Sequence, residues 1–389
     1  MSTSKSRLKA AKEEAQVAID KANNAIQVLG SNTKSLYDIL GDIQHLFNKI
    51  KNVPDETMMT YQNITKVRLT WKQQVDNIED NWKKATQGKV AGGAAGVGFG
   101  VGVAALGPTA AMGIATTFGV ASTGTAISAL SGAAATNAAL AWLGGGALAA
   151  GGGGMAAGEA LLAMAGPVGW AIAGVAFLTS GLLLWKSRSE KKKLEEIFTV
   201  ISKRDVKSYN LATVELNERI KRIISESELL NEACVQIATF GTDYKKMTEK
   251  QQYTLGSYVN LMYSSTQLLV NPILGLQPKY TEDDFNEFVV GHFDEFVQKM
   301  HSVFTLSSEI DAPGFINYYA SKNKNTLISL CNLLYCIELN PDEKDILAKS
   351  LRKNKDFMES TKIEKDVVNR CLFDTVDVLL NHKYENNKS

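Results

Sequence analysis

The sequence predicts an all-α protein, in which a long helical bundle carries a Gly- and Ala-rich hydrophobic hairpin and a compact C-terminal helical domain follows. Three observations predict this class. The 389 residues include only seven prolines, apolar residues recur at intervals of three and four over long stretches, and alternating Val/Ile/Thr runs with Asn-Gly turns are almost absent. We divide the chain into residues 1–89, 90–185, 186–240 and 241–389.

Residues 1–89 are predicted to form amphipathic helices. A helical period of apolar residues begins at Leu8, and the Gly-Ser-Asn run at Gly30 predicts the end of the first helix. A second stripe follows, and Pro54 interrupts it and opens a third helix that continues to about Lys89. Each helix has a single apolar stripe, which indicates that it packs on partners.

Residues 90–185 form a nearly uncharged block. Its 96 residues contain 23 of the 31 glycines and one charged residue, Glu159, although 21% of the whole chain is charged. The Gly clusters 144–146 and 151–154 predict flexible corners. Since a bilayer core needs about 20 helical residues per crossing, the block is long enough for up to four crossings, or for fewer crossings with re-entrant pieces.

The glycines of the block are spaced for close helix contact. Gly92, Gly96 and Gly100 share one helix face, and Gly98 and Gly102 form an adjacent row. Within an apolar stretch this G-x-x-x-G spacing is typical of helices that touch backbone to backbone in a membrane, a glycine zipper. The alternative is tight packing inside a soluble bundle.

Basic residues flank the block at both ends and predict that both ends lie on one side of a membrane. Such residues stay on the cytoplasmic side or against anionic headgroups. The block then enters and leaves by the same face, as one or two hairpins. The headgroup-facing residues that we predict are Lys84, Lys89, Lys186, Arg188, Lys191, Lys192 and Lys193.

Four further residues of the block have more specific interpretations. Trp185, next to Lys186, is predicted to be an interfacial anchor, while Trp142 and Trp170 fit an anchor and ordinary packing equally well. A carboxylate at mid-bilayer costs about 2.5–3.5 kcal/mol. Glu159 is therefore expected in a hairpin tip, and the functional alternative is a pore-lining or pH-sensitive carboxylate.

The remaining chain is predicted to be helical as well. Residues 186–240 show an apolar stripe with interspersed charges, typical of a long helix of the coiled-coil or bundle type. Residues 241–389 are richer in aromatics, and helix starts are predicted at Thr281 and Asn340, where a capping side chain precedes acidic residues.

The order of long helix, Gly/Ala-rich hydrophobic hairpin and long helix over residues 1–240 resembles helical pore-forming toxins of the haemolysin BL and cytolysin A type. It is also similar to the apolipoprotein L group, and the run from Ala139 to Ala156 resembles a segment of bacterial membrane-active proteins. The resemblance implies that an apolar segment between long helices inserts into a membrane to form a pore or channel. It implies no catalytic residues.

No constellation of residues predicts an enzyme or a cofactor. The chain has no G-x-x-x-x-G-K-[ST] loop and no G-x-S-x-G elbow. His292 and His301 are nine residues apart on one predicted helix, which is a poor spacing for a metal site, so no metal is predicted. The four cysteines lack C-x-x-C spacing and are expected to be buried thiols in a reducing compartment.

Three functions remain open at this level. The first is a pore-forming or membrane-permeabilising effector, with a lipid bilayer as its partner and a homo-oligomer as its inserted form. The second is a membrane-anchored scaffold or sensor with a protein partner on residues 241–389. The third is a soluble helical protein with the block as its core. The net charge of +1 gives no indication of nucleic-acid binding. Without a signal peptide, we expect synthesis in the cytoplasm, followed by membrane association or secretion by a signal-independent route.

Overall fold

The computed structural model describes residues 2–90, 187–276, 279–304, 311–353, 358 and 363–386. Over these ranges the chain is helical, without a strand, and the predicted all-α class is confirmed. The predicted hairpin, with its glycine rows and its three tryptophans, lies outside the described residues.

Nine α-helices, together with short 3-10 and π-helical turns, make up the described residues. The helices are α1 (Ser2–Phe47), α2 (Asp55–Val90), α3 (Arg188–Ile237), α4 (Glu249–Val270), α5 (Glu282–Asn286), α6 (Phe293–Val303), α7 (Ala312–Leu334), α8 (Pro341–Lys353) and α9 (Arg370–Asn386). The 3-10 turns are Tyr244–Lys246 and Leu274–Leu276, and a π-helical turn, Glu287–Gly291, joins α5 to α6.

Helix α1 continues through the position where the sequence predicts its end, so the predicted stop at Gly30 is wrong. The side chains of Ser31 and Asn32 hydrogen-bond to the carbonyls four residues earlier, at 3.4 and 2.8 Å. Polar side chains that bond back in this way remain compatible with a helix. Leu29 and Leu36 are fully buried on either side of the run, and their burial outweighs the cost of about 1 kcal/mol for a helical glycine.

Helices α1 and α3 run parallel to each other. The Ser202 hydroxyl donates a hydrogen bond to the Ala11 carbonyl at 3.1 Å, and the Asn52 amide donates to Asp243 at 2.9 Å. Both contacts join residues 191 positions apart, so the register is constant along the pair. Alanines fill the first half of the buried stripe of α1, and side chains this small allow a close approach of the two helices. They are Ala11, Ala15, Ala18, Ala22 and Ala25.

Helix α2 folds back along α1 in the antiparallel direction. The Tyr61 hydroxyl donates to the Asn48 side chain at 2.5 Å, and further along α2 the Trp71 ring lies 5.8 Å from the Tyr37 ring. The predicted break at Pro54 is confirmed, because α1 ends seven residues before it and α2 begins immediately after it.

Helix α4 folds back along α3 in the same way and completes a four-helix bundle. The Tyr258 hydroxyl donates to Gln236 at 2.6 Å, and the Arg219 guanidinium donates to the Asn271 carbonyl at 2.8 Å. The four helices therefore alternate in direction and enclose one buried apolar cluster.

One end of this bundle is tied by its loops, and we call it the tied end. The Lys51 N–H donates to the Thr242 carbonyl at 2.9 Å, and the Tyr244 N–H donates to the Lys51 carbonyl at 3.0 Å. Asn52 adopts a left-handed conformation (φ 58°), and its side-chain hydrogen bond holds the pKa of Asp243 below the ordinary value. Asparagine is one of the few residues that tolerate this conformation.

A second buried cluster gathers α5 to α9 around the first turns of α3. It includes Leu194, Ile197 and Ile201 of α3, whereas the buried residues of α3 from Val206 onward belong to the bundle. Helix α4 also packs in the bundle, so along the chain the change from the first cluster to the second lies between Ile273 and Tyr280. The two cores therefore meet along α3.

The predicted helix starts in the second cluster are confirmed. The Thr281 hydroxyl accepts the Asp284 N–H at 3.1 Å, and the Asp284 carboxylate accepts the Thr281 N–H at 2.6 Å. Asn340 and Glu343 form the same reciprocal pair, at 3.0 and 2.9 Å. Each start satisfies two backbone N–H groups that the helix itself leaves unpaired.

Replacing Gly275 with alanine is expected to destabilise the protein by about 1–3 kcal/mol, the usual cost of overpacking. The carboxylate of Glu215 accepts the N–H groups of Leu274 and Gly275 at 2.9 and 3.0 Å, which holds this turn against α3. A Cβ at Gly275 would lie 2.9 Å from the Cα of Ala212, so the turn must move. Urea unfolding followed by circular dichroism measures the loss.

The control for this substitution is Gly256→Ala in α4. A Cβ at Gly256 meets no atom within 4 Å, so this change is expected to be neutral, or stabilising by up to about 1 kcal/mol. Equal stability of the two variants would contradict the predicted clash.

Candidate membrane-proximal end of the bundle

The two points at which residues 91–186 join the described helices lie toward the same end of the bundle. Helix α2 runs antiparallel to α1, toward the start of α1, and α3 begins beside that start, as the bond between Ser202 and Ala11 shows. We call this the block end. It lies opposite the tied end, where the loops pair with each other.

The predicted basic residues at the start of α3 lie on the surface of the block end. Arg188 is exposed in the first helical turn. Lys192 pairs with Glu196 at 3.7 Å, and Lys193 pairs with Asp342 of α8 at 3.4 Å. Exposed pairs of this kind contribute at most about 1 kcal/mol. The two lysine ammonium groups can therefore readily exchange their carboxylate partners for another anion.

The structure does not describe the other predicted site residues to the same extent. Lys191 is half-buried on α3. Lys84 and Lys89 lie on α2, where only the backbone is described. The remaining predicted residues lie outside the described ranges, namely Gly92, Gly96, Gly98, Gly100, Gly102, Trp142, Glu159, Trp170, Trp185 and Lys186.

The C-terminal helices hold the first turns of α3. Helix α8 packs against these turns, Leu194 and Ile197 are buried in the second cluster, and Lys349 of α8 pairs with Glu190 at 3.2 Å. Helix α3, which follows the block, is therefore held at its first turns by α8. The apolar stripe of α3 alone does not predict this contact.

A buried ion pair links the two cores. Arg204 donates from Nε and Nη2 to Oδ1 of Asp205 at 2.9 and 2.7 Å, and from Nη1 to the carbonyls of Leu333 and Tyr335 at 2.9 and 2.6 Å. Asp205 is fully buried, and burial raises the pKa of its carboxyl to about 6 although Arg204 acts in the opposite direction. Adjacent Arg and Asp residues on a charged helix give no sequence signal for this role.

The cysteines are free thiols, and the predicted burial is correct for Cys331 but wrong for Cys336. Cys336 follows the end of α7 with a left-handed backbone (φ 58°), and its side chain is exposed. The apolar run that predicted burial ends with the helix. The backbone N–H of Cys336 donates a hydrogen bond to the Tyr384 hydroxyl at 2.7 Å.

Glu287, His292 and His382 form a cluster that sequence reasoning missed. One ligand atom from each residue lies within 4.8 Å of the others. His301 is the histidine nearest to His292 along the chain, whereas the fold places His292 beside His382 of α9. Only the packing of α9 against the π-helical turn brings them together.

Comparisons with protein-family models, with curated proteins and with solved structures find no match for this chain. None of the described helices combines the length and the apolarity needed to cross a bilayer.

Proposed function

We propose that this chain is a membrane-active helical protein, a pore-forming or membrane-permeabilising effector that shelters its apolar hairpin and inserts it on a trigger. One observation carries the proposal. A block of 96 residues with one charge is inserted between two long helices whose attachment points lie toward the same end of the bundle. A same-side entry and exit is the geometry that a membrane hairpin requires.

The bundle is compatible with a sheltered state, because its four helices enclose an apolar core and its loops pair at the far end. Helices α1 to α4 have their own apolar core, so opening the block end does not require unfolding the tied end. A two-state protein of this kind is shifted by whatever binds the inserted state more tightly. In this proposal lipid binds the nearly uncharged block in its inserted state, and the glycine rows then provide contacts for a homo-oligomer.

Dye release from liposomes tests this proposal. The full chain, added to vesicles that contain anionic lipid over a range of pH, is expected to release the dye. Gly96→Leu places a bulky side chain in the glycine row and is expected to reduce release strongly, whereas Ala104→Leu, on the side of the predicted helix away from both rows, is expected to retain it. Absence of release under every pH and lipid condition, together with unaffected growth on expression, would overturn the proposal.

A membrane-anchored scaffold or sensor is the second candidate function. It is favoured by the separate core of α5 to α9 and by the exposed aromatic residues Phe315 and Tyr318 at the start of α7, where a protein partner would bind. Carbonate extraction separates the two proposals. An anchored scaffold resides in the membrane at all times, whereas a sheltered effector has a soluble pool. A stable detergent-free monomer that never binds liposomes contradicts both.

A further inference from the structure

We propose that Glu287, His292 and His382 bind a divalent transition-metal ion of the zinc type. Oε1 of Glu287 lies 3.6 Å from Nδ1 of His292, and Oε2 lies 3.8 Å from Nε2 of His382. The same Nδ1 lies 3.1 Å from the Glu287 backbone carbonyl, a contact that the ion would replace. Tetrahedral zinc with bonds of about 2.0–2.2 Å places its ligand atoms roughly 3.3–3.5 Å apart. Each carboxylate–imidazole pair therefore needs to contract by only a few tenths of an ångström, and the ligand atoms of all three residues already lie within 4.8 Å of one another.

The π-helical turn brings two of the three ligands together. Glu287 begins this turn and His292 follows it, five residues later. In a regular α-helix of 3.6 residues per turn, residues five apart point in clearly different directions. A π-helical turn pairs residues i and i+5, which places the later residue over the earlier one, and such turns occur frequently at functional sites.

The third ligand, His382, is held in a fixed orientation. Its ring is buried and stacks on Phe288 with centroids 3.7 Å apart and planes 7° apart. Glu295 Oε1 lies 3.7 Å from Nδ1 of His382, and Lys299 holds Glu295 at 2.8 Å. A metal-binding histidine generally presents its second nitrogen to a carboxylate in this way. With the proton on Nδ1, the lone pair of Nε2 faces Glu287.

Asn386 competes for the same lone pair. Its side-chain amide nitrogen is 3.1 Å from Nε2 of His382, so the amide donates where the metal would bind. The ion replaces this hydrogen bond, and the Asn386 side chain must turn away. If the cluster binds a metal, removing the Asn386 amide is expected to preserve or raise the affinity for the ion. If the amide instead serves to hold His382 in place for binding, its removal is expected to lower that affinity.

The ligand set selects the class of ion. Imidazole nitrogens suit zinc, copper and nickel, whereas magnesium and calcium prefer oxygen ligands. Three protein ligands leave a fourth tetrahedral position for water, and the exposure of Glu287 and His292 gives that position access to solvent. The bound ion would tie the last turns of α9 to the π-helical turn, independently of the membrane function proposed above.

Zinc titration of the chelator-stripped full chain, against a chromophoric competitor at neutral pH, tests this inference. We expect one site. Glu287→Gln and His292→Ala change exposed side chains, so the fold is retained, and each is expected to weaken binding at least about 10-fold, since loss of even an outer-shell partner costs 10–100-fold. Glu295→Gln, which changes the carboxylate beside Nδ1 of His382, is expected to weaken zinc binding by about 10–100-fold. The control His301→Ala alters an exposed histidine outside the cluster and leaves binding unchanged.

Asn386→Ala sharpens the test, because it is expected to preserve or tighten zinc binding. Cobalt substitution identifies the ligands, and the site is expected to lack the charge-transfer absorption of cobalt–thiolate bonds. The inference is overturned if no zinc binds, if His292→Ala binds zinc as the unaltered chain does, if Asn386→Ala weakens binding, or if the cobalt spectrum shows thiolate ligands.

Discussion

Replacing Arg204 with alanine is expected to lower the free energy of unfolding by about 3–5 kcal/mol at pH 8, the usual cost of leaving a buried charge without its partner. Asp205 is fully buried, and the hydrogen bonds that the structure describes to its carboxylate come from Arg204. The same substitution removes the donor to the carbonyls of Leu333 and Tyr335. The bundle and the second cluster lose a shared contact.

The loss is expected to be smaller at pH 5. Burial raises the pKa of Asp205 from 3.8 to about 6, so the folded protein binds this proton more tightly than the unfolded chain does. The stability contributed by this proton is therefore fully present below the unfolded value and is lost as the pH rises through the folded value. Arg204 lowers this pKa, so its removal raises the pKa of Asp205 further. The free energy of unfolding of the variant then continues to fall over a wider pH range than that of the unaltered protein, and the difference between them is larger at pH 8 than at pH 5.

Urea unfolding at pH 5 and pH 8 measures both effects. Asp205→Asn removes the buried charge itself, so it is expected to cost less than half as much as Arg204→Ala and to show a weaker dependence on pH. A loss below about 1 kcal/mol, or an equal loss at the two pH values, would contradict the assignment of Asp205 as a buried charge held by Arg204.

The same variant connects stability with the proposed function. Arg204 lies two residues from Ser202, whose contact with Ala11 marks the block end of the α1–α3 pair. Under the sheltering proposal, weakening this region favours the open state, because a destabilised sheltered state shifts the population toward insertion. Arg204→Ala is then expected to release dye from liposomes under milder conditions than Gly275→Ala, a change in a turn that α3 packs against nearer the middle of the bundle.

The helical class could be predicted from the sequence because the apolar period is long and continuous, but helix ends were less certain. Pro54 marks a real break, because proline lacks the N–H group that a helix interior needs. Gly30 does not, because glycine merely costs about 1 kcal/mol, and the buried stripe continues through Thr33. Propensity decides a boundary only where packing does not oppose it.

The candidate sites depend on long-range packing to different degrees. The basic flanks and the uncharged block are local in sequence, so they could be recognised before the fold was known. His382 meets His292 only because α9 packs on the π-helical turn, which shifts the phase of the side chains that follow it. Asp205 is one of many charged residues on α3, and its burial follows from the meeting of two cores along that helix.

Replacing Asn332 with alanine is expected to cost about 3–5 kcal/mol, because the backbone groups of Lys279 and Tyr280 lose the amide with which they are paired, at about 1–3 kcal/mol each. The Asn332 side chain is 3% exposed. Its Oδ1 accepts the N–H groups of Lys279 and Tyr280 at 2.8 and 3.0 Å, and its Nδ2 donates to the carbonyls of Tyr280 and Ile328 at 2.7 and 3.1 Å. The amide therefore holds Lys279 and Tyr280, which lie between the bundle and α5, against α7.

Hydrogen exchange and urea unfolding together locate the effect of this substitution. We expect faster exchange of the Lys279 and Tyr280 amides and a lower unfolding midpoint for the second cluster. Asn325→Ala is the matched control, since it makes the same change at an exposed position of α7, where substitutions usually stay within about 0.5 kcal/mol. If Asn332→Ala were as stable as this control, the Asn332 amide would not hold the connection between the two cores. That role would then fall to Arg204, which donates to the carbonyls of Leu333 and Tyr335.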